Sequence, residues 1–429
     1  MIRKPEVIRL RWRKCCHRVG RQRKCSLNSL AGVHHVRRLR AYRCLVSVSC
    51  TVSSLGRDSK RPQAPVSPKT TSRMDDCSRQ TPMFTFGVIA DIQYADIDDG
   101  YNYVRTRKRY YRNGLQLLRN AQESWSESAV KPEFILQLGD IIDGFNKRHD
   151  ASDRALDTVL REFSCSSVEV HHVWGNHELL NFSRSSLLRS KLNSTPHCDS
   201  TVSGAQAGGD IYSYRFSPFP GFTFVILDAY DVSLLGREES SDEYCHAMDL
   251  IKQFNNNEDL NCPPACDGLQ QRFTMFNGGF SKDQLKWLES VLSSADEKRE
   301  KVTIVSHLPV HPHSTDPMCL AWNFDELLAI IRSHSSVVCF MAGHDHDGGY
   351  CRDKDTGVHH LTLEGVIETP PEGNAFGTVS VYEDRMVLKG CGRIRDRVLR
   401  FPGRQSDADH RPIEHAVMSI HRFRGCNIL

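Results

Sequence analysis

No stretch of about 18 consecutive apolar residues occurs in the 429-residue chain, so nothing in it can cross a membrane as a helix. The 16 cysteines follow no repeating spacing. Cys262 and Cys266 flank Pro-Pro-Ala, which is not a zinc-knuckle spacing, and no second pair completes one. Reduced thiols in the cytosol are the expectation. Acidic residues are nearly missing from 1–73, where Glu6 and Asp58 face 19 Lys and Arg; the rest of the chain keeps 37 of the 56 basic and 50 of the 52 acidic residues, a formal charge of −13. The net +4 therefore averages two unlike parts and does not argue for nucleic-acid binding by the globular part.

Residues 1–73 also lack sustained apolar periodicity. They read as a basic, disordered extension, with Met74 as the expected start of the mature form. The Arg-rich, acid-poor composition also fits a mitochondrial targeting segment, a reading placed second. The apolar stretch Leu45–Leu55 is too short, and too far behind the basic region, for a secretory signal.

The remainder, in a chain 39% hydrophobic and 25% charged, has an ordinary globular composition and enough length for a substantial core. Apolar runs predict strands at 84–90, 134–138, 168–173, 222–228, 302–306 and 337–342. Two further strands, 359–366 and 376–389, have an antiparallel look, and helices are expected at 104–128, about 151–163, and 281–293. Residues 233–278 are polar and Asn-rich, an inserted loop or cap. The catalytic domain is expected to span 84–397, followed by an irregular tail, 398–429.

Strand after strand ends in a side chain able to bind metal. The motifs are Asp91-Ile-Gln93, Gly139-Asp140-Ile-Ile-Asp143, Gly175-Asn176-His177-Glu178, Ser306-His307 and Gly343-His344-Asp-His346. Each alone is weak, since an Asp after a strand is often a helix cap. Five in order, each beside a small residue, form a strong signal, because open α/β sheets place ligand sites at strand C-termini. The set Asp91, Gln93, Asp140, Asn176, His307, His344 and His346 mixes oxygen and imidazole donors. Such donors suit Mn²⁺, Fe²⁺ or Zn²⁺, and seven of them suit two ions with Asp140 as the bridge. Two ions about 3.5–4 Å apart would activate a bridging hydroxide for attack on phosphorus. His177, beside Asn176 and not counted as a ligand, can act as general acid or stabilise the leaving oxygen, with Asp143 to orient and charge its ring.

These motifs resemble the calcineurin-like metallophosphoesterases. The resemblance implies a four-layer α/β/β/α sandwich with two metals. Asp91, Gln93, Asp140 and His346 would hold one ion; Asp140, Asn176, His307 and His344 would hold the other. Many members have His where this chain has Gln93, and the weaker, harder amide donor implies a first site that prefers Mn²⁺ over Zn²⁺, Fe²⁺ or Mg²⁺ and releases metal more readily.

Longer segments, among them Asp91–Asp96, His172–Glu178, Phe276–Phe280, Cys319–Asn323, His344–Tyr350 and Leu363–Thr369, are similar to the branch of that family that cleaves the pyrophosphate of ADP-ribose and CDP-alcohols with manganese. This implies small nucleotide-diphosphate substrates; the cysteine pattern and the charge of the globular part add the expectation of a cytoplasmic protein with no nucleic-acid partner, and a monomer is expected. Tyr94, Tyr101, Tyr103 and Trp322 could offer a face to a base, and Asn323 an amide to its edge. Arg105, Arg107 and Arg109 read as a solvated helix face. The alternatives are a cyclic-nucleotide phosphodiesterase or protein phosphatase of the same superfamily, or a non-catalytic metal-binding scaffold.

Overall fold

The computed structural model describes residues 81–102, 105–197, 211–266 and 268–403. The expected extension 1–73, Tyr103 and all but the start of the expected tail lie outside the described residues.

Buried β-branched and aromatic residues begin the first sheet at β1, Phe84–Ile89. A small hairpin follows, β2 (Gly100–Tyr101) and β3 (Lys108–Arg109), and then helix α1, Asn113–Glu127. The helix expected over 104–128 is thus real only in its second part. The Arg-containing stretch before it turns back on itself as Asn102 accepts backbone N–H bonds from Thr106 and Arg107. The chain continues through β4 (Phe134–Gln137), α2 (Phe145–Arg148), α3 (Ser152–Phe163), β5 (Glu169–His172), α4 (Asn176–Asn181) and α5 (Arg184–Leu188).

The second sheet starts with β6 (Tyr214–Phe219) and β7 (Phe222–Ile226). Helix α6 (Asp242–Lys252) lies in the insert. Helix α7 (Lys282–Lys298) is capped by the Ser281 hydroxyl, which accepts from Gln284 N–H, and ends at Arg299 in the left-handed region. Strand β8 (Lys301–Val305), helix α8 (Phe324–Ser333), and strands β9 (Val337–Ala342), β10 (Gly349–Arg352) and β11 (His359–Thr362) complete this half. The chain then returns to the first sheet as β12 (Ala375–Val381), β13 (Arg385–Gly392) and β14 (Arg397–Arg400).

The two six-stranded sheets have the orders β14-β13-β12-β1-β4-β5 and β10-β11-β9-β8-β7-β6. Strands β1, β4 and β5 run parallel, as do β7, β8, β9 and β11. The run 376–389, expected as one strand, is the β12–β13 hairpin. The strand at 359–366 is antiparallel to β10 only, being parallel to β9 on its other side.

The sheets meet face to face through phenyl rings. Phe84, Phe86 and Phe134 of the first sheet pack against Phe216, Phe222 and Phe224 of the second, with ring centroids 5.2–5.3 Å apart in the closest pairs. On the far side of the first sheet, Trp125 of α1 lies edge-on to Phe376 and donates to Gly377 O. Helices α7 and α8 bury Leu285, Leu288, Leu292, Leu327 and Ile331 against the second. The result is the four-layer α/β/β/α sandwich, whose two parallel regions point their C-terminal ends to the same edge.

The insert leaves and re-enters this frame at one point, where Val232 and Gly279 exchange backbone hydrogen bonds of 2.9–3.0 Å. It has its own apolar cluster of Leu234, Ala247, Ile251 and Phe273, with Trp322 from the main body.

Candidate dinuclear metal centre

Five strand ends deliver the site. Asp91 and Gln93 follow β1, Asp140 follows β4, and Asn176 and His177 open α4 after β5; His307 follows β8, and His344 and His346 follow β9. Four of these residues sit in the left-handed region: Asp91 at φ 53°, Gln93 at 45°, Asp140 at 56° and His344 at 70°. Each such turn costs about 1–3 kcal/mol, and concentrating four at one edge marks a site where geometry has been favoured over stability. The small neighbours are needed for closeness. A Cβ on Gly139 would stand 2.2 Å from His307 Nδ1, and one on Gly175 would stand 2.1 Å from Asp140 Oδ1.

The three imidazoles are each held by the nitrogen turned away from the centre. His307 Nδ1–H donates to Leu138 O at 2.7 Å. His344 Nε2–H donates to Asn277 Oδ1 at 2.8 Å, and the Asn277 amide is itself fixed by donating to Arg272 O and Met318 O. His346 Nδ1–H donates to Glu368 Oε1 at 3.1 Å. With those protons placed outward, the lone pairs of His307 Nε2 and His344 Nδ1 face one another at 3.2 Å, and Asp140 Oδ2 lies 3.4 Å from His307 Nε2. Asp140, His307 and His344 form a cluster of ligand atoms within 4.8 Å of one another. Converging acceptors repel unless a cation lies among them, and adjacent donors on an octahedral ion with bonds near 2.1 Å are about 3 Å apart. The residues fit a divalent ion.

A second group adjoins it. His346 Nε2 is 3.4 Å from Asp91 Oδ1 and 2.9 Å from the Gln93 amide, which is 3.2 Å from Asp140 Oδ2. Gln93 Oε1 is buried without a partner. A half-turn of that amide brings the oxygen to face His346 and Asp140, the orientation a ligand needs. Asp140 Oδ1 is taken by the His177 backbone N–H at 2.8 Å, at the start of α4. Asp140 Oδ2 faces both groups. Asn176 Oδ1 accepts from the Tyr230 hydroxyl at 3.2 Å and keeps its second lone pair.

Charge follows this geometry. Burial alone would lower His307, but the Asp140 carboxylate holds it up at about 9; His346 stays up at about 9 for the same reason, against its burial, through Asp91 and Glu368. Asp140, raised by burial, is driven well below the ordinary carboxylate range by His307 and His177. His344 is pushed far down by burial and by the His307 charge.

His177 stands apart from the ion-facing imidazoles. Its Nδ1 accepts the Gly144 backbone N–H at 2.7 Å, so the neutral ring carries its proton on Nε2, which lies 3.8 Å from Asp140 Oδ2. Asp143 Oδ2 is 3.5 Å from the same Nδ1 and is buried without a hydrogen-bond partner, while Oδ1 accepts from Phe145 N–H.

The remaining sequence candidates divide. Trp322 is buried in the insert's cluster and donates to Thr274 O, and the Asn323 amide is used up on Phe280 N–H and O. Neither is free for a base. Tyr94 is half-buried against the core, and Tyr101 is exposed on β2. The arginines are not on a helix face: Arg107 pairs with Asp347 at 2.5 Å and Arg109 with Glu368 at 3.4 Å. Four supporting residues escaped sequence reasoning: Glu368, Asn277, Tyr230 and Glu178. Glu178 accepts from the backbone N–H of Asp140, Ile141 and Gly175 at 2.7–2.8 Å and ties two motif loops together. Its place three residues after Gly175 was the available signal, the acidic N3 half of a capping box, since Gly175 has no side chain to return the bond.

Comparison with known proteins adds independent findings. Residues 84–348 match the calcineurin-like phosphoesterase family. The chain is 57% identical over 323 residues to the manganese-dependent ADP-ribose/CDP-alcohol diphosphatase of Danio rerio, covering 75% of this chain and 99% of that one. It is 51% identical over 322 residues to the Homo sapiens protein of the same name, with 74% and 93% covered. A dimetal phosphatase crystal structure from Danio rerio superposes with a TM-score of 0.71 at 58% identity, over 75% of this chain and 99% of that one.

Proposed function

The chain belongs to the calcineurin-like phosphoesterase family, in the branch of the manganese-dependent ADP-ribose/CDP-alcohol diphosphatases, and from that premise we propose that it is a pyrophosphate hydrolase. Its substrates are ADP-ribose, giving AMP and ribose 5-phosphate, and CDP-alcohols, with CDP-choline giving CMP and phosphocholine and CDP-ethanolamine cleaved alike. The observation that carries the chemistry is the meeting of the His307, His344 and Asp140 acceptors within 3.2–3.4 Å, beside a second group that shares Asp140 Oδ2.

Asp91, Gln93, Asp140 and His346 would hold one divalent ion, and Asp140, Asn176, His307 and His344 would hold the other. When bound, two manganese ions lower the pKa of water and neutralise charge on the phosphoryl oxygens. One P–O bond of the anhydride breaks as a water oxygen, having lost one proton to solvent, joins phosphorus. The leaving phosphate oxygen takes a proton from His177 Nε2. In the protonated ring Nδ1 can no longer accept from Gly144 and turns its own proton to Asp143 Oδ2, the partnerless oxygen 3.5 Å away. Asp143 thereby orients the His177 ring.

The catalytic domain is assigned to 84–397, with 233–278 as an inserted cap. The cap reaches the centre through Asn277, which favours a small nucleotide over a protein substrate. A non-catalytic scaffold would not need His177 and Asp143, which lie outside the ion-binding set. No helix among the described residues is long and apolar enough to cross a membrane. Within this reading the enzyme acts as a cytoplasmic monomer, to which free thiols such as Cys165, Cys245, Cys319 and Cys351 are suited.

The test is product analysis with Mn²⁺. Purified protein should release AMP from ADP-ribose and CMP from CDP-choline, and should stop after chelation. Folded, metal-loaded protein that releases neither nucleotide would overturn the proposal.

A further inference from the structure

Glu368 lies at the end of a short 3-10 turn, Val366–Glu368, outside every motif that supplies a ligand. That turn is pinned to the loop carrying Asp91, since Val366 N–H donates to Ala90 O at 3.1 Å and Ile367 N–H to Asp91 O at 2.9 Å. The Glu368 side chain is only 4% exposed, and its Oε1 lies 3.1 Å from His346 Nδ1 and 3.4 Å from Arg109 Nε. Arg109 reaches it from the β2–β3 hairpin, which is tied to the same turn by Tyr110 N–H donating to Ile367 O at 2.9 Å.

The three centre imidazoles differ in what supports them. His307 rests on a carbonyl and His344 on an amide oxygen, both neutral; His346 alone rests on a carboxylate. A charge-assisted bond is roughly twice as strong as a neutral one, and a carboxylate behind an imidazole makes its free nitrogen a better donor. His346 is also the only imidazole in its group, where its companion Gln93 is a neutral amide.

We propose that Glu368 is a positioning residue that selectively strengthens the ion site of Asp91, Gln93, Asp140 and His346, offsetting the weak donor at position 93. The proposal rests on the two-ion assignment above. Glu368 acts through His346 and touches neither substrate nor ion.

Mn²⁺ titration of the full chain by calorimetry, with free Mn²⁺ counted by electron paramagnetic resonance, tests this. The parent protein should bind two ions. Glu368→Gln, nearly isosteric, should weaken one of them by about 10–100-fold and leave the other unchanged. Adding Gln93→His to Glu368→Gln should recover most of the lost affinity, which a mere packing defect would not allow. Two ions bound by Glu368→Gln as tightly as by the parent would overturn the proposal, as would equal weakening of both or no recovery in the double variant. A parent that binds a single ion would instead overturn the two-ion assignment itself.

Discussion

His177 presents Nε2 to the centre because Gly144 N–H occupies Nδ1, so its loss should remove proton transfer without removing a ligand. His177→Ala should lower turnover by about 10²–10⁴ with two Mn²⁺ still bound by elemental analysis; loss of an ion would make His177 a ligand instead. Gln93→His should let Zn²⁺ or Fe²⁺ support activity, measured as turnover with single metals, and an unchanged demand for Mn²⁺ would remove the role given to the amide. Residues such as Asp140 and His307 were legible because each stands just past an apolar run, where a sheet has no other use for it. Glu368 and Asn277 carry no such mark. Their partners, His346 and His344, are 22 and 67 residues away, and only tertiary packing joins them. Trp322 and Asn323 misled for the opposite reason: their polar atoms could serve a base, but the fold spends them on Thr274 and Phe280.

The strand-end loops need their glycines. Gly139 has φ 101°, and its missing Cβ leaves room for His307. Gly139→Ala should therefore weaken Mn²⁺ binding at the Asn176–His307–His344 side well before the sheets lose their secondary structure, a contrast that metal titration and circular dichroism would read. Between the sheets, Phe224 touches Phe84, Phe86, Phe134 and Phe216. Phe224→Ala should cost about 3–5 kcal/mol in denaturant unfolding; a cost below about 1 kcal/mol would mean the sheets do not depend on this interface. The parallel strands were readable because burial on both faces makes them continuously apolar. The hairpin at 100–109 was not, since two-residue strands are too short to establish a period. The edge strands β6, β10 and β14 are half-exposed and have no apolar run to announce them.

For the whole molecule, the metal-free centre holds the His307 and His346 imidazoles protonated against carboxylates, while His344 stays neutral. His307 and His346 are held at about 9, above the ordinary 6.5, so the stability they add is complete below pH 6.5 and is lost as pH rises through 9. Metal-free protein should show a falling melting temperature between about pH 6.5 and 9, whereas Mn²⁺, which displaces those protons, should remove or reverse that trend. A metal-free melting temperature that climbs across this window would contradict the assigned charges. The charge asymmetry was visible in composition. The convergence of both sheets' parallel strands on one edge was not, because it depends on how two sheets stack. That convergence is what turns one oxygen, Asp140 Oδ2, to both groups. Electron paramagnetic resonance of protein loaded with two Mn²⁺ tests it most directly. Two ions sharing that oxygen should give the multiline spectrum of an exchange-coupled pair, which Asp140→Asn should abolish; two independent six-line signals from fully loaded, active protein would contradict the account.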